Sequence, residues 1–146
     1  LELFKAFFGA IELMADHKLA KPLGDTIDSA QPRLAEAWRS DLSMAHIRAN
    51  LTAAATMYLM PGGIGDTVRE KAGDVELDAL LRKAFAQIEA TARSIERPLQ
   101  LAVVDPDERT KVEKLALETR ALKALFVKRL APALGIPVGF NGLDGD

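Results

Sequence analysis

Between positions 77 and 99 the chain sets Leu77, Leu81, Ala84, Ile88, Ala92, Ile95 and Leu99 three or four residues apart, with mostly polar residues in the gaps. At about 100° per residue this spacing collects the apolar side chains on one face of an α-helix, whereas a strand would throw them alternately to both sides. Such a stripe is stable only when buried against similar ones, and the chain supplies three more. Leu1, Phe4, Phe8, Ile11 and Ala15 form one row near the start, and Leu3, Phe7, Ala10 and Met14 a second beside it, giving a broad apolar arc. Met44, Ile47, Leu51, Ala54, Ala55 and Tyr58 make a third segment, and Val112, Leu115, Leu122, Phe126 and Leu130 a fourth. Four amphipathic segments joined by chain reversals predict an all-α fold, an up-and-down four-helix bundle with a structured C-terminal tail, formed by residues 1–146 as a single helical bundle.

The punctuation between the stripes sets the expected boundaries. Lys21, Pro22 and Gly24 break the first helix, and Gly24, Asp25, Asp28, Ser29 and Pro32 fill an irregular stretch with a short helical turn around 33–38. Trp38, the one tryptophan, is expected to cap the bundle's end as core, with ligand stacking as the alternative. Ser40 or Ser43 can accept from the free amides of the next helix's first turn. Pro61-Gly62-Gly63-Ile64-Gly65 follows a helix and lacks the Gly-Lys-Ser/Thr ending of a phosphate loop, so it reads as a helix stop before a short turn near 66–72. Asp74 caps the long helix, and Pro98 is expected to kink it near Ser94 because its ring meets a carbonyl four residues back. Asp105, Pro106 and Glu108 carry a capping-box-like start for the last helix, which stops at Gly135.

Composition narrows the function. The 146 residues are 49% hydrophobic and 27% charged with a formal charge of −2, an ordinary globular mixture, and no Lys/Arg cluster offers a nucleic acid a docking surface. No apolar run approaches the roughly 18–20 residues of a transmembrane segment. With no cysteine there is no disulfide, thiolate metal site or cysteine nucleophile. Neither His17 nor His46 stands in a zinc-binding His-Glu-x-x-His pattern, and no Gly-x-Ser-x-Gly elbow occurs, so no catalytic residue and no metal ligand is assigned to this chain. Leu1 already stands inside a helical pattern, which implies a preceding leader, domain or both.

The candidate site residues fall in two places. On the helix begun near Ser43, His46 and Asn50 sit one turn apart on a flank continued by Ala53 and Met57; it either lines a cleft or is satisfied by neighbouring backbone. Arg48 lies on the opposite flank, by default a solvated or salt-bridged surface residue. Lys18 projects from an apolar arc and either snorkels toward the helix's last carbonyls or meets a carboxylate. The second place is the tail. Gly139, Phe140, Asn141, Leu143, Asp144, Gly145 and Asp146 pair an aromatic with an amide and two carboxylates, which is not the composition of a free end. Its carboxylates can hold a hard cation or meet helix N-termini and arginines. The tail is expected to dock among the helices, burying Phe140 and Leu143 and placing Asn141, Asp144 and Asp146 near the cleft that His46 and Asn50 face.

The ending Leu134-Gly135-Ile136-Pro137-Val138-Gly139-Phe140-Asn141-Gly142-Leu143-Asp144-Gly145-Asp146 resembles the C-terminal motif of the imelysin-like family, also classed as M75 peptidases. Residues 13–23, 40–50 and 97–105 resemble that family's second half in order and spacing. The resemblance implies a two-bundle bacterial protein of the periplasm or outer membrane, secreted or lipid-anchored, with a role in iron uptake. This chain would be its C-terminal bundle, partnered by the N-terminal half of the same protein, with any lipid anchor outside the chain. The family's Gly-x-His-x-x-Glu motif has no counterpart here, so any bound metal ion would be held mainly by the missing half. These implications give a non-catalytic binding or accessory role in iron or metal acquisition. The alternative is a metallopeptidase whose metal ligands lie in the missing half.

Overall fold

The structure is a computed structural model that describes residues 2–35 and 38–137. Helix α1 (Glu2–Leu13) runs on through a π-helical turn (Met14–Leu19) into α2 (Ala20–Leu23). Two 3₁₀ turns (Ile27–Ser29, Pro32–Leu34) lead to α3 (Ser43–Leu59), followed by α4 (Ile64–Glu70), α5 (Val75–Ser94), α6 (Leu99–Ala102) and α7 (Pro106–Leu125). A second π-helical stretch (Phe126–Leu130) and α8 (Ala131–Ala133) extend α7. The described residues are helical with no strand. The all-α bundle expected from the stripes is what forms.

The long helices close a ring in which α1 packs on α3, α3 on α5, α5 on α7 and α7 back on α1. Each neighbour is antiparallel. Phe7, early in α1, meets Tyr58, late in α3; Tyr58 in turn bonds Asp78, early in α5; Arg109, early in α7, reaches the carbonyls that end α2. The helices α1, α3 and α5 and the π-helical extension of α7 each contribute one aromatic to a single buried layer: Phe7, Tyr58, Phe85 and Phe126, all fully buried. The ring centroids of Phe7 and Phe126 are 4.7 Å apart and those of Tyr58 and Phe85 are 5.5 Å apart. Offset and tilted rings at such separations contribute beyond the area they remove from water.

Several boundaries differ from the sequence reading. Of the expected breakers Lys21, Pro22 and Gly24, the first helix passes through Lys21 and buried Pro22 and ends at Leu23, where Gly24, with a φ of 63°, turns the chain. A Cβ there would stand 2.4 Å from the Ser29 carbonyl oxygen, so only glycine fits. Helix α3 has Leu42, with no side-chain acceptor, at its N-cap position; Ser43 is the first helical residue and is buried. Pro98 does not kink a continuous helix. Instead α5 ends at Ser94 and a separate short helix begins after the proline. Side chains from elsewhere take up the backbone groups that this break frees: Arg48 donates to the carbonyls of Ala92 (3.1 Å) and Ile95, and Glu108 accepts from the amides of Glu96 (2.9 Å) and Arg97 (3.4 Å). Asp74 caps α5 through the amide of Leu77 at 2.9 Å, and Asp105 caps α7 through the amides of Asp107 and Glu108, as the sequence predicts. Glu108, used at the break, does not close a box with the Asp105 amide, which bonds Ala102.

Candidate functional site

Helix α3 turns one face to the core through Met44, Ile47, Leu51, Ala54, Ala55 and Tyr58, all buried. The hundred-degree step then fixes where its polar residues go. His46 is exposed and Asn50 half-buried, on a flank continued by exposed Ala53 and half-buried Met57. The two residues singled out in the sequence therefore share an accessible surface. Arg48 leaves that surface, turning to the end of α5, where its guanidinium meets two carbonyls rather than solvent or a carboxylate. Its charge sits against the negative end of the α5 dipole, a favourable placement. Lys18 is half-buried inside the π-helical turn, and Ser43 lies at the base of α3. Gly139, Phe140, Asn141, Leu143, Asp144, Gly145 and Asp146 lie outside the described residues.

An exposed imidazole and a half-buried amide one turn apart can bind a polar ligand. As a metal site they are incomplete, since three or four protein ligands are usual. Among the described residues no group of three or more His, Asp or Glu side chains stands close enough to hold a metal ion. Any metal seated on this flank would need ligands from outside the described residues.

At the far end of α3 lies a polar cluster that sequence reading missed. Tyr58 donates to Asp78 Oδ1 at 3.0 Å in the core, and Arg82 Nε donates to both oxygens of the same carboxylate at 3.0 and 2.9 Å. Arg69 stands 3.6 Å from Asp78 and donates to Asp66 at 2.7 Å, while Asp66 accepts the Gly62 amide at 2.7 Å. Burial, then the Asp78 bond, pushes the Tyr58 phenol far above its ordinary value, so it stays a hydroxyl donor and cannot serve as a base. The Gly62 amide, foremost, holds Asp66 below the usual carboxylate range, with Arg69 adding to it. The cluster ties the glycine-rich loop to two helices. Gly65 packs so closely that a Cβ would lie 2.9 Å from the Tyr58 carbonyl oxygen. Asp78 and Arg82 stand at the i, i+4 spacing of an ion pair, a local signal that could have found them; their pairing to Tyr58 twenty residues earlier had none.

A family model described as imelysin, peptidase M75, matches residues 2–126. The chain belongs to the imelysin family. Neither the search of curated proteins nor that of solved structures found a match. The family match ends at Phe126, ahead of the tail motif, so the helices carry the membership. In this imelysin-family chain the matched span contains His46, Asn50, Arg48 and the Tyr58 cluster. No helix among the described residues is long and apolar enough to cross a membrane.

Proposed function

We propose that this chain is the C-terminal bundle of a two-bundle imelysin-family protein of the bacterial periplasm or outer membrane, with a non-catalytic binding role in iron or metal acquisition. The observation that supports it most is the α3 flank: His46 and Asn50 stand on a surface that the ring of helices leaves open. Behind that surface Arg48 locks α3 to α5, so the flank is rigid and suits one wall of a cleft whose other wall comes from the preceding half of the protein. The tail, with Asn141, Asp144 and Asp146, would supply oxygen ligands at the same wall. Family members are usually extracytoplasmic, which fits such a role.

Calorimetric titration with ferric, ferrous and zinc ions tests this, using the bundle alone and joined to its N-terminal half. The joined protein should bind a metal at least tenfold more tightly than the bundle, and His46→Ala with Asn50→Ala should weaken that binding. Unchanged affinity in the double variant would remove these residues from the site. Chelator-sensitive cleavage of casein by the joined protein would favour the metallopeptidase reading instead.

A further inference from the structure

At the end of the bundle where α3 begins, an open groove of about 590 Å³ runs between the 3₁₀ turns and α6, lined by Pro32, Leu34, Trp38, Gln100, Leu101 and Val104, among others. It does not include His46 or Asn50 and is independent of the function proposed above. Leu34, Leu101 and Val104 keep 51%, 48% and 46% of their surface in water, although each stands beside other apolar groups. A concave apolar patch beside arginines is a surface that a partner with apolar and acidic side chains can cover.

One further observation says what would cover it, and another fixes the groove's shape. Arg33 and Arg39 place their guanidinium carbons 5.9 and 5.3 Å from the centre of the Trp38 ring, and neither has a carboxylate partner among the described residues. Arg69, Arg82, Arg97, Arg109 and Arg129 each have one, while Arg48, Arg93 and Arg120 share the lack; what sets Arg33 and Arg39 apart is that both stand at one aromatic ring beside an apolar groove. Gln100 is 91% buried, by its 9% exposure; its Nε2 donates to the Trp38 carbonyl at 3.0 Å and to Asp41, while its Oε1 is sealed from water and has no donor among the described residues. These bonds pin the Trp38 segment against α6, so the groove's shape is set before anything enters it.

We propose that the Trp38 groove docks an acidic polypeptide segment of a partner protein, one that carries leucine-like side chains between its carboxylates. Its apolar side chains cover Leu34, Leu101 and Val104, and its carboxylates pair with the planar forks of Arg33 and Arg39. Arginines already drawn to the face of an aromatic ring lose less freedom on pairing. A nucleic acid would satisfy the guanidiniums but leave the aliphatic walls uncovered, and a simple fatty acid would bring one carboxylate for two arginines.

Trp38 is the chain's one tryptophan, so its emission reports the groove directly. The probe is an acetylated, amidated peptide of alternating Asp and Leu, six residues long, titrated into the whole chain. Saturable change in Trp38 emission is expected, with affinity reduced at least tenfold by combined Arg33→Glu and Arg39→Glu and similarly by Leu101→Asp on the opposite wall. All three positions are exposed, so far-UV circular dichroism of the variants should match the parent. The absence of saturable change overturns the proposal, as does equal affinity for the Lys-Leu counterpart, which would mean apolar adhesion without charge recognition. Decanoate binding as tightly as the peptide, with the same loss in the arginine variant, would assign the groove to a small amphiphilic acid and overturn the peptide assignment.

Discussion

Tyr58 and Asp78 show how a polar pair survives in an apolar core. The phenol donates a hydrogen bond to the carboxylate and Arg82 balances that carboxylate's charge from the rim, so no group is left bare. Removing different members should therefore have unequal costs. Tyr58→Phe leaves Asp78 paired with Arg82 and should cost about 1 kcal/mol, one neutral hydrogen bond. Asp78→Ala strips both the hydroxyl and the guanidinium of their acceptor and should cost about 3–5 kcal/mol. Chemical denaturation of the two variants checks the order; a Tyr58→Phe loss equal to that of Asp78→Ala would show that the phenol, not the carboxylate, holds the cluster. Glu108 gives a residue-scale prediction in pH. Lys111 at 2.5 Å, and then the amides of Glu96 and Arg97, hold its carboxyl below the usual glutamate range. A folded-state value below the unfolded one stabilises the fold at neutral pH, and that contribution fades as pH falls through the carboxylate range toward the lowered value. Glu108→Gln should flatten the fall in melting temperature between about pH 5 and 3. An unchanged slope would show that other carboxylates set the acid sensitivity.

At the scale of elements, helix ends are held by arginines from other helices. Arg48 takes the carbonyls that finish α5, and Arg109, 5% exposed, takes those of Leu23 (2.7 Å), Gly24 (3.4 Å) and Val103 (3.0 Å), closing α2 and α6. Arg48→Ala should cost about 1–3 kcal/mol, because two half-buried carbonyls lose their donor, and Arg48→Lys should recover little since one ammonium lacks the fork. Full recovery by lysine in a thermal melt would reduce the residue's role to charge. Glycines give a paired test. Gly9→Ala in α1 meets nothing within 4 Å and should stabilise by about 0.5–1 kcal/mol, whereas Gly65→Ala drives a Cβ against the Tyr58 carbonyl and should destabilise by about 1–3 kcal/mol. Both effects read directly as shifts of the denaturation midpoint. These elements also show what the sequence made legible. The stripes and the caps at Asp74 and Asp105 are local signals, encoded within one or two turns, and they were readable. The break at Pro98 was not, because what permits it is Arg48, 47 residues from the Ile95 carbonyl it binds, together with Glu108 from the next helix. The site divides the same way. Periodicity put His46 and Asn50 on one flank, but it assigned Arg48 to the surface and carried no sign of the groove at Trp38, which forms only when α6 meets the 3₁₀ turns.

For the whole molecule the question is whether the two ends of the ring unfold together. The aromatic layer of Phe7, Tyr58, Phe85 and Phe126 lies toward one end, and Trp38 packs on the same continuous core toward the other. Between them α3, α5 and α7 run unbroken, locked at their ends by Tyr58–Asp78 and by Arg48 and Glu108. A single core cross-linked at both ends should melt as one cooperative unit, so Trp38 emission and helical circular dichroism should trace coincident transitions. Phe85→Ala empties a fully buried site in the aromatic layer and should cost about 3–5 kcal/mol. If the ring is one unit, that cavity lowers the Trp38 midpoint as much as the helical one although the substitution lies in another layer. A Trp38 transition that stays at its parent temperature while the helical signal moves down would instead divide the bundle in two, with the groove end held by Gln100 and Arg109 alone.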